Sequence, residues 1–351
     1  MRILIIRNDR IGDLISTSLI IPKLKYAFSN KINRIDLICS NYGFVYASKL
    51  NNEFSNIYVN ERTLSPTKDL KLLKIIRSNN YDLCISLSPN NKSFILNVLS
   101  AAKLKASIRI LKKNLVNKPT SFLAQYIDIF MDVENDKDYG HLTWSDFYSK
   151  LCNDIYKSIS KKKFNKKTIF PSNYLKPKPR YTLNKVKVSN HVIFHIDEKW
   201  QLSKIKVNFL SDIILKISKD RKVLITSNHY RNKLNDELFM KLGFKYDNKN
   251  FIQSKFNKKL CLLNKIKKDD PTNYLNKLIQ CISLSKCVIQ IHGGIGHYAG
   301  AFDRNIINLK VKKENLQKLY KIQTKGSYLD LYINNSQQFM SSIVNFLKKI
   351  N

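Results

Sequence analysis

Negative charge is scarce in this sequence: 26 Asp and Glu stand against 62 Lys and Arg, a formal net charge of +36 over 351 residues. Lys, Asn and Ile are used heavily throughout, the mark of an AT-rich coding bias, which accounts for part of that excess. The remainder still attracts anions, whether nucleic acid, anionic lipid or a phosphorylated glycan. Long apolar runs are missing too. None reaches the 18 residues or so that a membrane-spanning helix needs, so no span is expected. Cysteines 39, 84, 152, 261, 281 and 287 are scattered, without a C-x-x-C pair. They read as small buried hydrophobes of a reducing compartment rather than a disulfide or zinc framework. The G-x-S-x-G, H-E-x-x-H and phosphate-loop patterns are absent, as are helix-turn-helix, zinc-finger and RNA-binding signatures. His141, His191, His195 and His229 lack metal-ligand spacing.

With 43% hydrophobic and 11% aromatic residues the chain is globular. Its length predicts two domains of about 150 residues each. Strand patterns at 2–7, 34–39, 56–59, 81–87 and 107–111 alternate with helical ones at 13–27, 43–50, 68–78 and 92–105, and a helix at 141–157 closes the half. The Lys-, Ser-, Asn- and Pro-rich stretch 157–190 reads as the interdomain boundary. A second series follows, with strands at 191–197, 222–227, 259–266, 287–291 and 305–311 and helices at 206–218, 231–242, 272–284 and 296–302. The tail 336–350 is one more amphipathic helix. Such alternation predicts βαβ units and parallel sheets covered on both faces. The expected fold class is α/β, with domains at 1–175 and 176–330 and a terminal helix at 331–351.

Ligands of doubly wound sheets bind beyond the carboxyl ends of the strands. Three polar clusters fall there: Arg7-Asn8-Asp9-Arg10-Ile11-Gly12-Asp13 after the first strand, Asp197-Glu198-Lys199-Trp200 after HVIFHI, and His292-Gly293-Gly294 after CVIQI. An Asp at a helix start is ordinarily a cap, and the arginines beside it ordinarily solvated. A glycine pair opening a helix offers free N–H groups to a diphosphate. Trp200 reads more readily as core than as a stacking platform, and His195 as a satisfied strand residue. Thr226, Ser227 and Asn228 follow another strand and are candidates to line a nucleotide site.

These residues carry a family likeness. RNDRIGDLI followed by STSLIIPKLK resembles the opening of the ADP-heptose:lipopolysaccharide heptosyltransferases, glycosyltransferase family nine. YDLCISLSPNNKSFILNVL resembles a strand-loop-helix of that family's first domain, and NYLNKLIQCISLSKCVIQIHGGIGHYAGAF its second-domain signature. The resemblance implies a GT-B architecture: two doubly wound Rossmann-like domains whose parallel sheets face one another across a cleft. It also implies an inverting reaction without metal or cofactor, and a nucleotide-sugar donor, with an ADP-sugar favoured. By position Asp13 matches the general base, with Arg10, Gly12 and Asn91 in the acceptor and donor cleft. Lys199, Lys204, Thr226, His292, Gly293, Gly294 and His297 are the implied nucleotide-sugar set. The register of DEKWQLSK leaves Lys199 and Lys204 both open as the phosphate lysine. His292 departs from the pattern, standing where the family has Asp, and Gly293 where it has Thr.

The basic, partly apolar stretch 92–118 and the lysines of 161–167 read either as solvated faces or as a surface for anionic lipid or a lipid-linked acceptor. The expectation is a cytoplasmic enzyme, peripheral on the inner membrane, that acts on a lipopolysaccharide or related cell-envelope glycolipid and binds no specific nucleic acid. The alternative is a basic, non-catalytic protein that binds nucleic acid or anionic lipid.

Overall fold

Ile3, Leu4, Ile5 and Ile6 are all fully buried in the opening strand. An unbroken apolar run of this kind suits a parallel strand with helices on both faces, where each buried Ile or Leu contributes roughly 1.5–3 kcal/mol relative to exposure. The computed structural model describes residues 1–50, 52–61, 63–111, 122–134, 141–161, 170–179, 183, 189–227, 233–245, 249–264, 270–311 and 321–350. The chain forms two compact units, Met1–Lys178 with Gln317–Lys321, and Pro179–Leu316 with Ile322–Asn351.

The first unit holds six strands: β1 (Arg2–Arg7), β2 (Arg34–Cys39), β3 (Asn56–Val59), β4 (Leu83–Ser86), β5 (Leu104–Leu111) and β6 (Ile129–Glu134). Their order is β3-β2-β1-β4-β5-β6, and all neighbours are parallel. The strand order reverses between β1 and β4, the kind of place where doubly wound sheets bind ligands. Helix starts follow local chemistry. Thr143 and Asp146 form a reciprocal capping box ahead of the helix Trp144–Ser160, Asn90 caps Asn91–Leu99, and Pro66 opens Pro66–Ser78.

The second unit holds β7 (Val192–Ile196), β8 (Val223–Ser227), β9 (Phe251–Gln253), β10 (Leu260–Leu263), β11 (Cys287–Ile291), β12 (Asn305–Lys310) and β13 (Tyr328–Tyr332). Their order is β13-β12-β11-β7-β8-β10-β9, with β9 antiparallel to β10. Here the reversal lies between β7 and β11. The terminal helix Gln337–Lys349 buries Phe339, Met340, Ile343 and Leu347 in this unit's core.

Several expectations are corrected. The helix predicted at 13–27 is two, Ile11–Thr17 and Ile20–Phe28. Pro22 has no N–H to return to the Ser18 carbonyl, and the Ser18 hydroxyl donates back to the Ile15 carbonyl at 2.6 Å, so the ladder breaks there. The helix predicted at 92–105 ends at Leu99, because Ala101 turns left-handed at φ 57° and the chain enters β5 at Leu104. β6, β9 and β13 had no counterpart in the predicted strands, and each ends a hydrogen-bonded ladder. The stretch predicted as a linker begins inside a helix that runs to Ser160. Its part 170–178 packs on the first unit, where Pro171 and Leu175 carbonyls accept from Lys23 and Tyr46. Residues 112–118 and 162–167 of the predicted basic surface lie outside the described residues. Among the described residues no helix is long and apolar enough to cross a membrane.

Candidate functional site

The cluster in the first unit begins with the last residue of β1. Arg7 ends a buried strand and is itself only 5% exposed. Its Nε lies 2.8 Å from Asp9 Oδ1, an ion contact without hydrogen-bond alignment. Its Nη2 lies 3.3 Å from Asp13 Oδ1. Burial works against the guanidinium charge, but Asp9, Asp13 and Tyr148 outweigh it and hold its pKa above the ordinary value. Burial is likewise the main influence on Asp9 and pushes its pKa up. Arg7 opposes that rise and Asp13 adds to it.

The ordinary reading of such arginines as solvated therefore does not hold for Arg7, although Arg10 is exposed. Nor is Asp13 the cap of its helix. The cap position belongs to Arg10, which makes no side-chain cap bond. Asp13 stands in the first turn, 42% exposed, with its carboxylate turned to Arg7. Gly12 is buried in the same turn, and its carbonyl accepts from the Ser16 hydroxyl at 3.0 Å.

The loops after β1 and β4 are tied together by Asn8. Its N–H donates to Ser88 Oγ at 3.1 Å, and its Oδ1 accepts from Ser93 Oγ at 2.8 Å and Asn90 Nδ2 at 3.3 Å. Asn91 is half-buried at the start of the following helix, and it is the neighbouring Asn90 that joins this helix to the β1 loop. The sequence placed Arg7, Asn8 and Asp9 in the polar cluster after the first strand but assigned none of them a role. The available signal was a cation closing four buried apolar residues, a costly placement unless that cation is paired.

The cluster in the second unit joins the loops after β7 and β11. Gly293 precedes the helix Gly294–Ala301. A Cβ on Gly293 would stand 3.0 Å from Lys199 Nζ and 3.8 Å from Asp197 Oδ2, so glycine permits this close approach. Lys199 Nζ donates to the His292 carbonyl, and its backbone N–H donates to Asp197 Oδ1 at 3.1 Å. Lys204 instead lies exposed on a left-handed turn at φ 56°. Of the two lysines left open, Lys199 is the one brought to the glycines.

The ring centroids of His292 and His297 are 6.0 Å apart, edge to face. Burial, then His297, Lys199 and Lys310 push the His292 pKa down to about 3. Burial and then Lys199 push that of His297 down to about 4. Both rings are neutral at neutral pH. The helix amides, one ammonium and two neutral imidazoles make a site suited to an anion.

Thr226 is fully buried, and its hydroxyl meets His195 Nδ1 at 2.9 Å, a structural pairing within the sheet. Trp200 is core as expected: it is 1% exposed, its Nε1 donates to the His195 carbonyl at 2.9 Å, and its ring packs on Phe194. Asn228 and His229 lie outside the described residues. Among the described residues no group of three or more His, Cys, Asp or Glu is placed to hold a metal ion.

A scan against protein-family models finds no match to the sequence, and a search of curated proteins finds none either. Solved structures do match. The chain is similar to the E. coli ADP-heptose lipopolysaccharide heptosyltransferase II at 13% identity and TM-score 0.70, over 100% of this chain and 98% of that one. It is similar to E. coli heptosyltransferase WaaC with ADP at 12% identity and TM-score 0.69, over 100% of both chains. It is also similar, at TM-score 0.51 and 13% identity, to the UDP-GlcNAc 2-epimerase of Methanocaldococcus jannaschii, over 98% of this chain and 92% of that one. The first two are heptosyltransferases, the kind of protein whose motifs this sequence resembles. At such identities the likeness shows the fold, and the fold is GT-B, as expected from the sequence. Transferases and an epimerase share it, so activity has to be argued from the residues.

Proposed function

We propose that this protein is a glycosyltransferase of the family-nine kind, moving a sugar from a nucleotide-sugar to a cell-envelope glycolipid. The observation that carries the reading is Asp13: a half-exposed carboxylate in the first helical turn past the first strand, steered by a buried arginine rather than spent on capping. In the proposed reaction it takes the proton of the acceptor hydroxyl as that oxygen attacks the anomeric carbon. The configuration then inverts, and the nucleoside diphosphate leaves with the bonding electrons.

Lys199 and the amides that open the helix Gly294–Ala301 supply positive potential for the leaving diphosphate. We take heptose or a related sugar, carried on ADP, as the donor, and lipopolysaccharide as the acceptor class. Both extend the likeness to the E. coli heptosyltransferases, one of them solved with ADP. His292 provides a neutral ring where the family motif has a carboxylate, so the donor sugar is where this chain has most reason to differ from those relatives. Peripheral attachment to an anionic membrane fits the net charge of +36. Charge is also the whole support for a non-catalytic nucleic-acid reading.

The test is thermal unfolding with ADP, GDP, UDP and CMP and their sugar conjugates. A ligand at 100 times its Kd stabilises the fold by about 2.7 kcal/mol. A selective shift with one nucleotide supports the reading, whereas no shift with any of them on folded protein rejects it. Sequence-independent nucleic-acid binding that disappears at modest salt would be charge alone.

A further inference from the structure

Resting on that reading of Asp13, we propose that Arg7 and Asp9 are positioning residues that set both the direction and the basicity of the Asp13 carboxylate. Arg7 contacts two carboxylates, Asp9 at 12% exposure and Asp13 at 42%, and is itself the most buried of the three at 5%. Arg7 is fixed by its own burial at the end of β1. Asp9 is fixed through its backbone, whose carbonyl accepts from Ser40 Oγ at 3.0 Å. Asp13 is thus the most solvent-facing of three groups whose other two members are held.

The distances divide the charge. Arg7 lies closer to Asp9, at 2.8 Å, than to Asp13, at 3.3 Å. A guanidinium paired to Asp13 alone would favour its ionised form and leave it a weak base. Asp9 shares that positive charge, so Arg7 is held between two carboxylates while it orients Asp13. Among the described residues Tyr148, from the helix Trp144–Ser160, also faces these three groups. Its hydroxyl meets Thr17 Oγ1 at 3.5 Å, and burial pushes its pKa up, so it stays neutral. Arg10 follows in the loop but is exposed.

Opposite signs follow for the two partners, an outcome that a merely structural role does not give. Asp9→Asn leaves the whole Arg7 charge to Asp13, so the acid limb of the kcat profile moves to lower pH, by about 1, and kcat falls roughly tenfold. Arg7→Met removes the cation, so the limb moves to higher pH. Arg7→Lys keeps the charge and restores the limb, with only part of the turnover because one ammonium cannot hold two carboxylates as a fork does.

Two readouts separate this inference from the reading beneath it. The first is the pH profile of transfer from ADP-heptose to a lipopolysaccharide acceptor. The second is the carbon-13 titration of the Asp13 carboxyl, assigned by difference against Asp13→Asn, which needs no turnover. Opposite displacements of the Asp13 titration in Asp9→Asn and Arg7→Met support the proposal, whether or not this donor is used. Should Arg7→Met not fold, Asp9→Asn and Arg7→Lys carry the test alone. A wild-type Asp13 titration in folded Asp9→Asn overturns the inference. If Asp13→Asn instead transfers normally, the general-base reading fails.

Discussion

The ammonium of Lys199 lies 3.0 Å from the point where a Cβ on Gly293 would stand, and it donates to the carbonyl of the residue before that glycine. A cation is thereby laid across the amino end of the helix Gly294–Ala301, from a loop about ninety residues earlier in the chain. Both loops leave the sheet at the point where its strand order reverses, the place where such sheets bind ligands.

Filling that space is the first prediction. Gly293→Ala displaces the tip of a flexible lysine rather than backbone, so the fold should survive with a small change in Tm. Nucleotide affinity should fall roughly tenfold or more, the value of a charge-assisted hydrogen bond lost or misplaced. Calorimetric titration of the nucleotide selected by the unfolding screen measures it.

Lys199→Ala and Lys204→Ala should separate cleanly. Lys199→Ala weakens nucleotide binding by a similar factor and flattens its salt dependence. Lys204→Ala, which removes an exposed charge, leaves both unchanged. Equal losses in the two variants would return the register of this loop to the ambiguity it has in the sequence.

Gly296 gives a stability prediction without a binding one. A Cβ there would stand 2.0 Å from Gln290 Nε2 and 2.4 Å from Ile322 Cδ1. Gln290 is buried and lies 3.4 Å from Asn308 Oδ1, so it has little room to swing. Gly296→Ala should cost about 1–3 kcal/mol, as overpacking does, read as a lower denaturation midpoint.

Stability should also fall on mild acidification. The folded pKa values of His292 and His297 sit at about 3 and about 4, below the ordinary 6.5. Between about 6.5 and those values the unfolded chain binds more protons than the folded one, so stability is lost as pH falls through that window. A double His292→Asn, His297→Asn variant should show a shallower loss between pH 6.5 and 4 than the parent chain. An equal slope would contradict the burial of the two rings.

Much of this was legible in the sequence, for reasons that differ by element. β1, β7 and β11 are central strands buried along nearly all their length, and their mostly apolar runs, broken only by His195 in β7 and Gln290 in β11, identify them. β6, β9 and β13 are the terminal strands of their ladders, paired on one side only. The pattern YLDLY of β13 is half polar because Tyr328 and Asp330 bond one another and Asn308 across the face of the sheet. The turn carrying Asp13 was readable as a motif. The pairing beneath it was not, because Arg7 looks like any surface cation until the sheet around it buries it. The Lys199 register was equally closed to reading, since only folding brings that loop to Gly293. Thr226 shows the converse: a polar residue at a strand end that the sheet turns inward to His195.

The most direct measurement is sugar transfer by Asp13→Asn beside the parent chain, with ADP-heptose and a lipopolysaccharide acceptor, and with nucleotide binding measured on both proteins. If Asp13 is the base, the parent chain transfers the sugar and the variant still binds nucleotide. Turnover by the variant then falls by about a hundredfold or more, on the order of what a positioned general base supplies. Transfer by Asp13→Asn at the parental rate would contradict that role.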